Sequence, residues 1–121
     1  MTNALPPVFE RWFASRGWQM HAHQWEMLAA ARAGQSALLT APTGGGKPLA
    51  GFLPSLIELS EQPDFEGLHT LYISPLKALA TDIRRNLETP LSEMGLSITA
   101  EARTGDTPAN RRARQRETPP N

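Results

Sequence analysis

Ala41-Pro42-Thr43-Gly44-Gly45-Gly46-Lys47-Pro48 is the stretch that decides how this chain reads. Up to Lys47 it has the make-up of a loop that wraps nucleotide phosphates. Such a loop turns backbone N–H groups toward the phosphates and opens a helix whose N-terminal partial charge faces them. Gly44, Gly45 and Gly46 let the backbone approach closely and take positive φ. Lys47 reaches the β- and γ-phosphates as a point charge. The residue after the lysine ordinarily gives a hydroxyl to Mg²⁺. Pro48 stands there instead, with no hydroxyl and no N–H, and its ring biases Lys47 away from helical geometry. A flexible glycine linker ending in a lysine has the same composition, so the flanks must decide.

The flanks favour the phosphate loop. Gln35-Ser36-Ala37-Leu38-Leu39-Thr40 is a short apolar run that suits a buried strand. After the loop, Leu49, Phe52, Leu53, Leu56 and Ile57 recur at helical spacing. Strand, glycine-rich loop, helix is the context the chemistry requires. Proline is tolerated in a helix's first turn, so the loop's fold can survive Pro48 while its metal chemistry does not.

Working outward, Val8, Phe9, Trp12 and Phe13 make one helical face that Gly17 can close. A second helix is predicted from about His21 to Ala33, ended by Gly34. His69–Ser74 reads as a second strand, rich in β-branched and aromatic residues. Lys77 to about Leu87 is predicted helical; Pro90 is expected to end or kink it, with a short turn at 91–94. Leu96–Ala100 alternates as a third strand, and residues 109–116 form a short basic helix. Alternating strands and helices predict an α/β fold with a parallel sheet flanked by helices, its ligand edge at the phosphate loop. The expected organisation is a helical region over about 7–34 and a phosphate-loop core over about 35–121.

Composition bounds the function less than the motifs do. The chain has 121 residues, enough for one small domain, and is 40% hydrophobic and 20% charged with zero net charge. Residues 1–76 carry four basic and six acidic side chains, residues 77–121 eight and six, a mild tilt that an ordinary solvated surface also shows. There is no cysteine, which excludes disulfides and cysteine-ligated zinc. No apolar run approaches ~18 residues, and residues 1–7 lack the pattern of a secretion signal. The expectation is a cytoplasmic protein without a membrane span.

Three more stretches carry chemistry. Gln24 lies upstream of the loop in Trp18-Gln19-Met20-His21-Ala22-His23-Gln24; a glutamine amide matches adenine's N6 and N7 edge, although a helix glutamine also commonly faces solvent. Ser74-Pro75-Leu76-Lys77-Ala78-Leu79-Ala80 places Pro75 and Lys77 at a helix start, where N–H groups bind phosphate without reading sequence; a plain strand-to-helix turn is the alternative. Arg103-Thr104-Gly105-Asp106-Thr107-Pro108 follows the third strand. There Arg103 and Thr107 suit phosphate contacts, and Asp106 is expected to shape the turn or cap the next helix. Arg111, Arg112, Arg114 and Arg116 either extend that footprint or are simply solvated.

With the phosphate loop, these stretches resemble superfamily-two DEAD/DEAH-box helicases: Gln24 their glutamine motif, Ser74–Ala80 their motif Ia, and Arg103–Pro108 their next nucleic-acid loop. Within that superfamily the chain looks like the Lhr-type enzymes, above all the bacterial ligase-associated DExH-box DNA helicase, over about Pro7 to Asn121. The resemblance implies part of a RecA-like P-loop NTPase domain. It implies ATP and Mg²⁺ as cofactors, single-stranded or 3′-tailed DNA as partner, 3′-to-5′ unwinding, and a repair ligase as associate. Gln24, Thr43, Gly44, Gly45, Gly46, Lys47 and Pro48 fall at its nucleotide positions, and Pro75, Lys77, Arg103 and Thr107 at its nucleic-acid positions. A different P-loop ATPase or small-molecule kinase fits Gln24 and Ser74–Ala80 less well.

The chain departs from that family in three ways that bear on catalysis. Pro48 replaces the threonine. No Asp-Glu pair, the start of the family's metal box, occurs in the sequence. Nor is there a second RecA-like domain to supply arginines. The expectation is an N-terminal portion of a helicase motor, of marginal stability, in which these residues alone neither hydrolyse ATP nor unwind DNA. A non-catalytic nucleotide- or nucleic-acid-binding module acting through partners is the alternative.

Overall fold

In a computed structural model of the chain, residues 5–40, 47–74 and 76–121 are described, Lys47 and Pro48 by their backbone alone. The loop residues Thr43, Gly44, Gly45 and Gly46, and also Pro75, lie outside the described residues. The chain divides into two compact units, Met1–Glu61 and Gln62–Asn121.

The first unit carries α1 (Pro7–Ser15), α2 (Ala22–Arg32) and α3 (Lys47–Ser60). α1 opens on proline, whose missing N–H costs nothing in a first turn. It closes with Gly17 at φ 67°: Gly17 N–H donates to Ala14 O and Trp18 N–H to Phe13 O, the paired bonds of a Schellman stop. The Trp18 ring then packs edge-on against Phe13, the apolar contact that accompanies such stops. α2 ends the same way at Gly34, with Gly34 N–H to Ala31 O and Gln35 N–H to Ala30 O. α2 packs on α3. The buried core comprises Phe9, Trp12 and Phe13 of α1, Leu28 of α2, and Ala50, Phe52, Leu53, Leu56, Ile57 and Leu59 of α3. Of the predicted apolar spacing of α3, Phe52, Leu53, Leu56 and Ile57 are buried and Leu49 is half-buried.

Pro48 is the second residue of α3, where its absent N–H would have no helical partner in any case. Lys47 is helical despite the restriction a following proline imposes. The buried stripe of α3 outweighs that bias. Pro54 sits inside the same helix, beside the buried Leu53.

The second unit carries α4 (Lys77–Met94) and α5 (Ala109–Glu117). Here the sequence expectation needs correction. Pro90 neither ends α4 nor leaves a separate turn at 91–94; the helix runs through it to Gly95 at φ 67°. A mid-helix proline costs about 3 kcal/mol through a lost hydrogen bond and crowding. Burial of Pro90 and Leu91 offsets much of this, since each buried apolar side chain contributes about 1.5–3 kcal/mol. The Schellman bonds of Gly95 N–H to Ser92 O and Leu96 N–H to Leu91 O then fix the end.

The parallel sheet is not formed among the described residues: none of 35–40, 69–74 or 96–100 is in a strand. Leu38 is 91% exposed, Ile73 81% and Leu71 70%, where a strand buried on both faces would hide them. A ladder needs several bonded pairs in register. Asn121 bridges the second and third runs. His69 and Thr70 N–H donate to Asn121 O at 3.0 and 2.9 Å, Asn121 Nδ2–H donates to Gly67 O at 3.2 Å, and Asn121 N–H donates to Thr99 Oγ1 at 3.2 Å. Among the described residues no helix is long and apolar enough to cross a membrane.

Candidate nucleic-acid interface

The second unit brings together two stretches that lie 29 residues apart in sequence. Lys77, the first residue of α4, places its Nζ 3.0 Å from Asp106 Oδ2 in the loop before α5. The start of α4 has no side-chain cap, so its first N–H groups remain available to an anion.

The loop 103–107 is held by its own bonds. Thr104 N–H donates to Thr107 Oγ1 at 2.9 Å, Thr107 N–H to Thr104 O at 3.2 Å, and Asp106 N–H to Thr104 Oγ1 at 3.1 Å. Arg112, reaching back from α5, donates from Nη2 to Thr104 O at 2.8 Å and Gly105 O at 2.9 Å. Thr107 therefore spends an oxygen lone pair on the turn and keeps its O–H to offer. Arg103 is exposed. Asp106 does not cap α5, whose N-cap is Pro108; its carboxylate is turned to Lys77 instead. The reason is electrostatic: the Lys77 ammonium lies 3.0 Å from it.

The arginine cluster divides in two. Arg112 is half-buried beneath the loop. Arg114 pairs with Glu101, Nη1 donating to Oε2 at 3.1 Å and Nη2 to Oε1, and Gln115 Nε2 donates to the same carboxylate at 3.2 Å. Arg111 and Arg116 are exposed. Sequence composition separated none of these roles, because Glu101 and the loop carbonyls that select among the arginines lie seven to thirteen residues away.

Arg114's hydrogen bonds hold the Glu101 carboxyl below its ordinary value of 4.5; Gln115 and the charges of Arg114 and Arg111 add to this, and partial burial opposes it. A depressed acid contributes stability that is present above its unfolded pKa and lost as pH falls through the folded one. The loosening is therefore expected below pH 4.5. Arg114→Ala should raise the Glu101 pKa toward the ordinary value, read from side-chain carboxyl shifts in an NMR titration; an unmoved midpoint would refute the pairing.

Gln24 is 3% exposed, so it is not a solvent-facing helix residue. Its Oε1 accepts the His21 N–H at 2.8 Å, the reach from N3 to the N-cap used in a capping box. Lys47 and Pro48 start α3, in the same unit as Gln24. Among the described residues no three His, Asp or Glu side chains gather as a metal-holding group.

The sequence model of the DEAD/DEAH box helicase family matches residues 21–120. The chain is 40% identical to "Lhr helicase/ probable uracil glycosylase" of Mycolicibacterium smegmatis, an alignment covering 90% of this chain and 8% of that protein. It is 37% identical to "Lhr helicase/uracil glycosylase" of Escherichia coli, over 98% of this chain and 9% of that one. The crystal structure of the DUF1998 helicase MrfA bound to DNA and AMPPNP is similar with a TM-score of 0.84 at 28% identity, covering 98% of this chain and 16% of that chain. The chain thus spans about a tenth of the curated relatives' length, and its backbone follows a RecA-like helicase fold.

Proposed function

The chain belongs to the DEAD/DEAH box helicase family, and on that premise we propose that it supplies the nucleotide- and nucleic-acid-contacting front of an ATP-dependent DNA helicase motor of the Lhr type. The observation that carries this reading is the meeting of Lys77 with the loop 103–107. Both stretches resemble backbone-contacting motifs, and the fold sets them side by side. Pro75, Lys77, Arg103 and Thr107 then hold a DNA strand by its phosphates, contacts that position without reading bases. That suits a motor that moves along any sequence.

Thr43, Gly44, Gly45, Gly46 and Lys47 take the ATP phosphates in this reading, and Gln24, buried with its Oε1 held by the His21 N–H, reaches adenine only when that bond opens. The parallel sheet that the resemblance implies would be their framework, although among the described residues none of 35–40, 69–74 or 96–100 is in a strand. Mg²⁺, which the family uses, finds no fitting donor here: Pro48 has no hydroxyl, and no acidic or histidine cluster stands in for it among the described residues. No metal-dependent step follows from these residues, and we infer that this chain alone does not turn over ATP. A cytoplasmic setting, expected from the sequence's composition, and a repair-ligase associate, implied by the resemblance alone, complete the proposal.

The test is fluorescence anisotropy with labelled single-stranded oligonucleotides, alongside an ATPase assay. Binding should be indifferent to sequence. Lys77→Gln should weaken it for every sequence alike and lower the salt slope by about 0.7. Absence of DNA binding would overturn the interface, and DNA-stimulated ATP turnover would overturn the inactivity.

A further inference from the structure

Lys77 has two claimants. As a phosphate contact it must offer its ammonium to DNA, yet that ammonium already sits 3.0 Å from the Asp106 carboxylate. The arrangement is built rather than incidental. The Lys77 stem lies over Gly105, close enough that a Cβ there would stand 3.9 Å from Lys77 Cε and Nζ. The loop that presents Asp106 is pinned by Arg112 through the carbonyls of Thr104 and Gly105, and by the Thr104–Thr107 bonds. Asp106 is thus carried to Lys77 by a fixed turn.

We propose that Asp106 is an acidic latch on Lys77, an internal competitor that occupies the lysine until a nucleic-acid phosphate displaces it. This rests on the nucleic-acid reading above. Lys77 and Asp106 are largely exposed, at 63% and 80% of their side-chain surface. Exposed ion pairs are weak and screened by salt. Weakness is what a reversible latch needs, since a phosphate carrying full charge and approaching the open start of α4 gains the helix N–H groups as well. The carboxylate lowers resting affinity for any phosphate-bearing strand, so a strand must engage several contacts together before Lys77 is released to it.

The experiment compares the whole chain with Asp106→Asn, Asp106→Glu, Lys77→Gln and the Asp106→Asn/Lys77→Gln double variant. Each is titrated against fluorescein-labelled oligothymidylate at about 0.05 M and 0.2 M salt, with far-UV circular dichroism to confirm folding. Asp106→Asn should tighten binding by about two- to fivefold at low salt, with a smaller gain at higher salt. Asp106→Glu should behave as the unmodified chain, and Lys77→Gln should bind more weakly. In the Lys77→Gln background the Asp106→Asn gain should largely vanish. Asp106→Ser repeats the measurement if the asparagine variant fails to fold.

An undiminished gain in the Lys77→Gln background would make Asp106 a general repulsive charge and overturn the latch. Unchanged or weaker binding by Asp106→Asn, with Lys77→Gln still weakened, would overturn it too and leave the DNA reading standing. If no chain binds the oligonucleotide, the DNA reading falls and the latch falls with it.

Discussion

Leu53→Ala is expected to lower the free energy of unfolding by about 2–5 kcal/mol, the range for truncating a fully buried leucine. Leu53 is 1% exposed on α3, the helix that α2 packs against. The truncation removes the transfer energy of its methyl groups and leaves a cavity the two helices can only partly close. Against a total of about 5–15 kcal/mol for an ordinary domain, that is a large share. The measurement is urea unfolding followed by tryptophan fluorescence; Trp12, Trp18 and Trp25 all lie in the first unit, so the signal reports its packing. The midpoint should fall at constant slope. The control is Leu71→Ala, at an exposed position, which should change stability by no more than about 0.5 kcal/mol when unfolding is followed by circular dichroism. A Leu71→Ala effect as large as that of Leu53→Ala would mean that the run 69–74 is packed as a strand in solution, contrary to the exposure described above.

That contrast marks where the sequence was legible. Gly17 and Gly34 were readable as helix stops because a Schellman closure is local: it needs one residue at positive φ and carbonyls three and four residues back. The apolar stripe of α3 was readable for the same reason, a period of 3.6 within one segment. The expectation that Pro90 ends the helix failed because burial of Pro90 and Leu91 offsets much of the local cost. The runs 35–40, 69–74 and 96–100 carry strand composition, yet a strand exists only through its neighbours, and no local pattern supplies them. The candidate interface divides likewise. Lys77 and the loop 103–107 were each legible only as candidate phosphate-contacting stretches. Their meeting, and the roles of Asp106 and Arg112 within it, were not, because they depend on pairings between distant segments. Gln24 was visible by its position, while its burial and its bond to His21 depend on how α2 starts and packs.

Pro48→Thr is expected to give this chain Mg²⁺-dependent nucleotide binding that it otherwise lacks. With proline at 48, adding Mg²⁺ should change affinity for a non-hydrolysable ATP analogue by less than about twofold, because the position after Lys47 offers the ion no oxygen. Threonine restores that oxygen and an N–H at the start of α3. The gain on adding Mg²⁺ should be about tenfold or more, in line with the orders of magnitude that single phosphate- and metal-facing groups command in such sites. Stability should move little, since position 48 lies in the first turn of α3, where proline removes no helical hydrogen bond. A fluorescent ATP-analogue titration with and without Mg²⁺ reads the effect, and a denaturant melt guards against a folding artefact. ATP turnover should stay absent in the variant, because threonine supplies a ligand for the ion but no group to orient the attacking water. An unmodified chain that already binds more tightly with Mg²⁺ would show that Pro48 is no obstacle. A threonine variant that gains nothing would move the deficit from position 48 to the metal-binding acidic pair that this sequence does not contain.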